Sequence, residues 1–193
     1  MQTLSHHLLT MAYNNAWSNY RLLKACAELS QDEFVAPRTS FFPSIKATLN
    51  HILTVDWFYM DALEREFRGD VPHPNHAVFF EPQEPFDRCA QLQSAQSLAD
   101  RQLIHYCGQL RDAELDRYVT ILRRNGEQRD TRTRLLAHLF EHQIHHRGQV
   151  HAMLAGTAVR PPQLDEFFLQ GEAELRATDF AEMGWSEAAI WEG

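Results

Sequence analysis

The chain has 193 residues, of which 44% are hydrophobic and 23% charged, and its formal net charge is −8. This length suits one well-buried core rather than two, and the acidic balance argues against a nucleic-acid-binding protein, which needs basic side chains to neutralise phosphates. Three widely spaced cysteines without C-x-x-C spacing argue against a disulfide framework or a zinc ribbon, and we expect reduced thiols in a cytoplasmic protein.

The first half of the chain has the apolar spacing of two long helices. One helix is predicted over about residues 4–29, where neither Pro nor Gly interrupts the pattern. Residues 30–43 are predicted to form a polar connector. Ser44 is predicted to cap a second helix, which ends at Gly69, and four prolines in residues 69–85 predict an extended loop.

The second half combines two more helices with a β-hairpin. A helix is predicted over about residues 87–110, and residues 118–131 are β-branched on one side with Asn125-Gly126 at their centre. Asn-Gly is a strong hairpin signal because both residues accept a positive φ. The last long helix is predicted from residue 131 or 133 to residue 155. Four such helices predict an all-α fold, a four-helix bundle with a small β-hairpin before the last bundle helix.

We expect a single bundle domain over residues 1–170 and a C-terminal tail over residues 171–193. The tail is acidic and carries Trp185 and Trp191, and such aromatic side chains more often cover the edge of a core or a partner than take part in chemistry. The sequence shows neither a signal-peptide pattern nor an apolar run of about 18 residues, the length needed to span a membrane. We therefore expect a soluble protein without a membrane partner.

The last long helix carries four histidines within nine consecutive residues, His138, His142, His145 and His146. The second and fourth of these are four residues apart, which places both imidazoles on one helical face, about 5–6 Å apart at Cβ. Two imidazoles so placed can bind one metal ion, as in zinc proteases. A zinc protease needs Glu at position 143, where this chain has Gln143, so the pattern excludes the protease but keeps the metal-binding pair.

Helical position separates these histidines. With about 100° per residue, His146 falls inside the apolar stripe and His142 at its edge, while His138 and His145 lie further out. On the same helix, Arg147 is predicted to pair with an acid, Gly148 to allow close helix approach and Gln149 to reach the surroundings of the site. Hydrogen-bonded core histidines are the alternative, but an i,i+4 pair at the edge of the core face favours a metal site.

A catalytic site of this kind generally has three protein ligands and an open position. His51 is the only histidine within the second predicted helix, and it lies at the rim of that helix's apolar face. We therefore predict His51 as the third ligand. Asp56 falls on the inward side of the same helix, where we expect it to orient a ligating histidine or to meet an arginine.

At these positions the chain resembles the DinB (DinB/YfiT-like, damage-inducible) superfamily. The resemblance covers about residues 4–170, and the His-x-x-x-His-Arg-Gly-Gln block is its most specific part. The segments that carry it are Tyr13-Asn-Asn-Ala-Trp17-Ser-Asn19, Thr48-Leu-Asn-His51 followed by Asp56, Asn125-Gly126, His138-Leu-Phe-Glu-His142-Gln-Ile-His145-His146-Arg147-Gly148-Gln149-Val150-His151 and Pro161-Pro162-Gln-Leu-Asp165.

The resemblance implies an up-up-down-down-type four-helix bundle that forms a homodimer. It also implies a divalent metal ion held by three histidines, which correspond to His51, His142 and His146. All-imidazole ligation suits zinc, nickel, iron or copper, so the sequence does not select the metal.

Two functional hypotheses follow from the resemblance. The first is a metal-dependent enzyme, a thiol transferase that activates a low-molecular-weight thiol for attack on a small electrophile, or a hydrolase that activates water. The second is a stress-response binding protein whose metal site is structural or vestigial, for example one closed by His138 or His145 as a fourth ligand.

Overall fold

The computed structural model describes residues 3–191 and contains four long helices. These are α1, α3, α4 and α5 below, and the two strands form one antiparallel hairpin directly before α5. The predicted all-α bundle and its hairpin are therefore confirmed. The elements in chain order are α1 (Leu4–Cys26), α2 (Gln31–Val35), α3 (Ile45–Arg68), α4 (Cys89–Gly108), β1 (Tyr118–Arg123), β2 (Gly126–Thr131), α5 (Arg132–Leu154), α6 (Ala173–Met183) and α7 (Glu187–Trp191).

Side-chain caps set the ends of the helices that carry the histidines. The Ser44 hydroxyl accepts a hydrogen bond from the Ala47 amide at the start of α3, as predicted, and Gly69 ends this helix with a φ of 77°. Thr131 caps α5 by accepting from the Arg134 amide. Each cap satisfies a backbone N–H that the first turn leaves without a partner.

The segment predicted as a polar connector contains the short helix α2. Ser30 and Glu33 form a reciprocal capping box at its start, and Phe34 is buried in the core. The Ser-x-x-Glu spacing was the local signal for this helix. The predicted loop after Gly69 likewise includes a single 3₁₀ turn, His76–Phe79.

The helix directions follow from pairs of side-chain contacts. Asp56 contacts Gln96, and Glu64 contacts Gln102, so α3 and α4 run parallel. Helix α1 runs antiparallel to α4, because Asn15 contacts Asp100 while Leu23, further along α1, contacts Cys89 at the start of α4. Helix α3 runs antiparallel to α5 for the same reason, since His51 contacts His142 and Glu66 contacts Arg132.

The bundle is consequently up-down-down-up, and the expected up-up-down-down order is wrong. The reason is the path of residues 69–88, which return the chain along the bundle so that α4 starts at the same end as α3. Helix α5, which follows the hairpin, then runs antiparallel to α3 and places its histidines beside that helix.

The bundle core has two apolar ends separated by a polar layer. One apolar cluster includes Leu8, Leu63 and Leu136, and the other includes Leu22, Ile52 and Leu154. Between them lie seven polar side chains, each no more than 5% exposed, namely Asn15, Asn19, Asp56, Gln96, Asp100, Gln143 and Arg147.

The C-terminal helices lie against α1. Trp17 of α1 is buried with Phe167, Phe180 and Ile190, and Arg21 forms ion pairs with Asp179 and Glu166. Within residues 3–191, no helix is both long enough and apolar enough to span a membrane.

Candidate metal centre

The packing of α3 against α5 brings His51, His142 and His146 together. Each ring offers one nitrogen, and these three atoms lie within 4.8 Å of one another. The Nε2 atoms of His51 and His142 are 3.0 Å apart. Among the residues described, this is the only group of three or more His, Cys, Asp or Glu side chains with the spacing of a metal site.

Burial keeps these imidazoles neutral. It lowers the pKa of His51 to about 4 and that of His142 to about 3, and the neighbouring histidine rings add to both shifts. Burial also lowers the pKa of His146. At neutral pH all three rings therefore lack the second proton, which is the form that binds a metal ion.

Side chains around the group restrict two of its rings. The Phe42 ring stacks on His51 with centroids 4.3 Å apart and lies 5.6 Å from His146. Gln149, predicted near the site, has its Oε1 atom 2.9 Å from Nδ1 of His146. This contact fixes the proton on Nδ1 and leaves Nε2 of His146 as the donor to a metal.

His142 has a different environment. Its Nδ1 atom is buried and has no hydrogen-bond partner among the described residues. The ring of His142 is 4.4 Å from that of His146 and 5.0 Å from that of His51, measured between centroids. Its contacts are thus largely with the other two histidines.

The remaining histidines of α5 lie outside the close group. His138 and His145 are exposed, and the His138 ring is 6.3 Å from that of His142 and 5.3 Å from that of Tyr59. The Nε2 atom of His145 is 3.0 Å from the Gln149 amide nitrogen. Neither histidine has a donor atom within the group of three.

Among the described residues, Asp56 has neither a hydrogen bond to a histidine nor an ion pair with an arginine, so neither of its two predicted roles is observed. It accepts hydrogen bonds from Gln96, at 2.7 Å, and from Gln143. Burial raises its pKa to about 7 and that of Asp100 to about 6, and the positive charge of Arg147 opposes both shifts. Asp56 thus lies in the polar layer below the histidines.

Arg147 joins the polar layer to α1. Its guanidinium donates to Asn15, to Asn19 at 3.0 Å and to Gln143 at 3.2 Å, and both asparagines donate to Asp100. The prediction that Arg147 pairs directly with an acid is wrong in detail, because amide groups stand between the charges. The four helices are thereby connected through buried hydrogen bonds.

Two features were not predicted correctly from the sequence. A Cβ atom added at Gly148 would meet nothing within 4 Å, so the expected close helix approach is absent. The contact of Phe42 with the histidines was missed, and the two consecutive aromatic residues before the Ser44 cap were its only signal.

Comparison with known proteins gives one family. The sequence model of the DinB family matches residues 1–178, which reaches into α6. A comparison with curated proteins gives no match. The match covers nearly all of the chain and includes α3 and α5 with their histidines, and we conclude that the chain belongs to the DinB family.

Proposed function

We propose that the protein is a metal-dependent enzyme in which His51, His142 and His146 hold a divalent ion. The ion would activate a low-molecular-weight thiol, or water, for attack on a small electrophile. The observation that carries this proposal is the convergence of three neutral imidazole nitrogens within 4.8 Å of one another.

The donor set fits a metal ion. Two nitrogens bound to one tetrahedral ion at about 2.0–2.1 Å are separated by about 3.3 Å, close to the 3.0 Å between His51 and His142. A hydrogen bond between His51 and His142 is the alternative, but it would leave His146 outside the pair, whereas one ion would use all three nitrogens of the group. Zinc, nickel and iron all accept three imidazoles.

A bound divalent ion supplies Lewis acidity, which lowers the pKa of a thiol or water beside it. The side chains of the protein hold the ligands in position. Phe42 restricts the His51 ring, and Gln149 selects the tautomer of His146. Since His138 and His145 lie outside the close group, three protein ligands leave room for a substrate atom.

The absence of a carboxylate favours a thiol over water. Among the described residues, no Asp or Glu belongs to the group of close donors, and Glu141 of the same helix is exposed. Hydrolysis needs a base to take a proton from water. A thiol has an ordinary pKa of about 8.5, so a modest lowering is enough to ionise it at neutral pH.

The test is metal analysis of the purified protein and of alanine variants at residues 51, 142 and 146. We expect about one divalent ion per chain in the wild type and at least a tenfold loss in each variant, with helicity retained in circular dichroism. His138→Ala and His145→Ala are matched controls on α5 and should keep the metal.

The activity test follows the consumption of 2-mercaptoethanol with 1-chloro-2,4-dinitrobenzene. The rate above background should be lost in His146→Ala and kept in His145→Ala. Equal rates in the wild type and in His146→Ala would overturn the enzymatic proposal. If the metal were present without any rate, the hypothesis of a binding protein with a structural metal would take its place.

A further inference from the structure

Arg123, the last residue of β1, is held in a fixed position next to α3. Its Nε atom donates to Oε1 of Gln128 and its Nη2 atom to the Tyr59 hydroxyl, both at 3.0 Å. The guanidinium carbon lies 4.6 Å from the centroid of the Phe58 ring and 5.7 Å from that of Tyr59. Two hydrogen bonds and two aromatic faces therefore restrain this half-buried cation.

The guanidinium of Arg123 has no acidic partner. Between residues 3 and 191, no carboxylate oxygen lies within 4.0 Å of it, although Arg21, Arg65, Arg132 and Arg176 each form such an ion pair. An arginine has five N–H donors, and the two hydrogen bonds of Arg123 go to neutral groups. The remaining donors are available to a ligand.

A row of rings joins this arginine to the candidate metal centre. Tyr59, which accepts from Arg123, has its ring 5.3 Å from that of His138, and His138 is 6.3 Å from His142. His51 and Tyr59 lie on the same helix and are eight residues apart, which corresponds to about 12 Å along its axis. The cation and the three histidines thus lie along the same region, where α3 packs against α5.

We infer that Arg123 binds the carboxylate of an extended ligand whose other end is at His51, His142 and His146. This inference rests on the proposed function and adds a requirement on the ligand, namely an anion separated from its reacting atom by a span comparable to the rise of about 12 Å from His51 to Tyr59. A carboxylate fits better than a phosphate dianion, because a single restrained guanidinium offers one positive charge, which balances a monoanion.

The experiment measures the binding of three probes to the zinc-loaded protein by titration calorimetry. The probes are 8-mercaptooctanoate, 8-mercapto-1-octanol and octanoate, which carry both groups, the thiol alone and the carboxylate alone. We expect the mercapto acid to bind on the order of tenfold more tightly than the mercapto alcohol. Arg123→Gln should remove this difference and leave the affinity for the alcohol and the zinc content unchanged.

Arg129→Gln is the matched control. Arg129 lies on β2 of the same hairpin, is exposed and stacks on Tyr118, so its loss removes the same charge at another position. This variant should keep the preference for the acid. If both variants lost it equally, general charge attraction would explain the binding and the assignment of Arg123 would be overturned.

The wild-type titrations separate this inference from the proposed function without any variant. Equal affinities of the mercapto acid and the mercapto alcohol, both above that of octanoate, would overturn the role of Arg123 and leave thiol binding intact. A third outcome is that octanoate binds only when Arg123 is present and that the mercapto acid binds no more tightly than octanoate. This outcome would support the anion site and contradict the proposed thiol chemistry.

Discussion

Gln143 shows at the scale of one residue why the histidine pair of α5 is not a protease motif. Its side chain is fully buried, donates to Asp56 and accepts from Arg147. It faces the polar layer rather than the three histidines. A carboxylate at this position would therefore meet another carboxylate instead of acting as a base beside a metal ion.

We predict that Gln143→Glu destabilises the metal-free protein by about 2–4 kcal/mol, because it leaves two acids in contact inside the core. Gln143→Met, which removes the amide without adding a charge, should cost less, about 1–3 kcal/mol. Urea unfolding measures both. Since burial raises the pKa of Asp56 to about 7, the excess cost of the Glu variant should be larger at pH 8 than at pH 5. Equal costs at both pH values would contradict this explanation.

The lowered histidine pKa values give a prediction for metal affinity. Burial takes the pKa of His51 to about 4 and that of His142 to about 3, so at pH 5.5 these two ligands carry no proton that zinc must displace. Three histidines with an ordinary pKa of about 6.5 would lose roughly a thousandfold in affinity between pH 7.5 and pH 5.5. For this protein we expect the affinity for zinc to fall by less than about tenfold over the same pH range. Competition with a chelator measures this affinity. A loss near a thousandfold would show that the site opens to solvent.

At the scale of single elements, two glycines have opposite roles. Gly126 begins β2 with a φ of 125°, a conformation that other residues rarely adopt. Gly148 lies inside α5, and a Cβ atom there would meet nothing within 4 Å. The hairpin thus needs its glycine, whereas the helix would be more stable without one.

We predict that Gly148→Ala raises the free energy of unfolding by about 1 kcal/mol, the difference in helix propensity. Gly126→Ala should lower it by about 1 kcal/mol or more, because the turn requires the positive φ. Thermal unfolding at several protein concentrations measures both changes. A destabilised Gly148→Ala variant would indicate that another surface, such as a second copy of the chain, covers this face of α5 in solution.

At the scale of the whole molecule, the polar layer links all four long helices. Asp100 of α4 accepts from Asn15 and Asn19 of α1 and from Gln96. Gln96 in turn donates to Asp56 of α3, which also accepts from Gln143 of α5. The layer therefore aligns α3 and α5 next to the histidines, and it divides the apolar core into two ends.

Asp100 makes the stability of the bundle depend on pH. Burial raises its pKa from 3.8 to about 6, so between about pH 4 and pH 6 the folded state keeps a proton that the unfolded state has lost. The contribution of Asp100 to the free energy of unfolding is full below pH 3.8 and is lost as the pH rises through about 6. The buried histidines act in the opposite direction, since their lowered pKa values reduce stability as the pH falls below about 6.5.

We predict that Asp100→Asn, which cannot ionise, loses less stability than the wild type when the pH rises from 4 to 7. The difference between the two slopes should amount to about 1–3 kcal/mol over this range. Urea unfolding of metal-free protein measures it, and the comparison cancels the contribution of the histidines. Asp87→Asn, at a position that is largely exposed, is the control and should keep the wild-type slope.

Local patterns in the sequence were sufficient for the four long helices, for the hairpin and for two of the three histidines of the candidate site. The Ser44 cap, the Asn125-Gly126 turn and the helical spacing predicted α3, the hairpin and α5, and the DinB match confirms the family. The i,i+4 spacing also places His142 and His146 on one face, because neighbours within a helix are determined by its 3.6-residue period.

Only the tertiary structure decided the direction of the helices and the surroundings of the histidines. The path of residues 69–88 makes α3 and α4 parallel, and no local pattern encodes that path. The same packing brings Phe42 onto His51 and turns Asp56 towards Gln143. Such contacts join residues far apart in the chain, so they depend on how apolar faces and buried hydrogen bonds are satisfied together rather than on the period of any one helix.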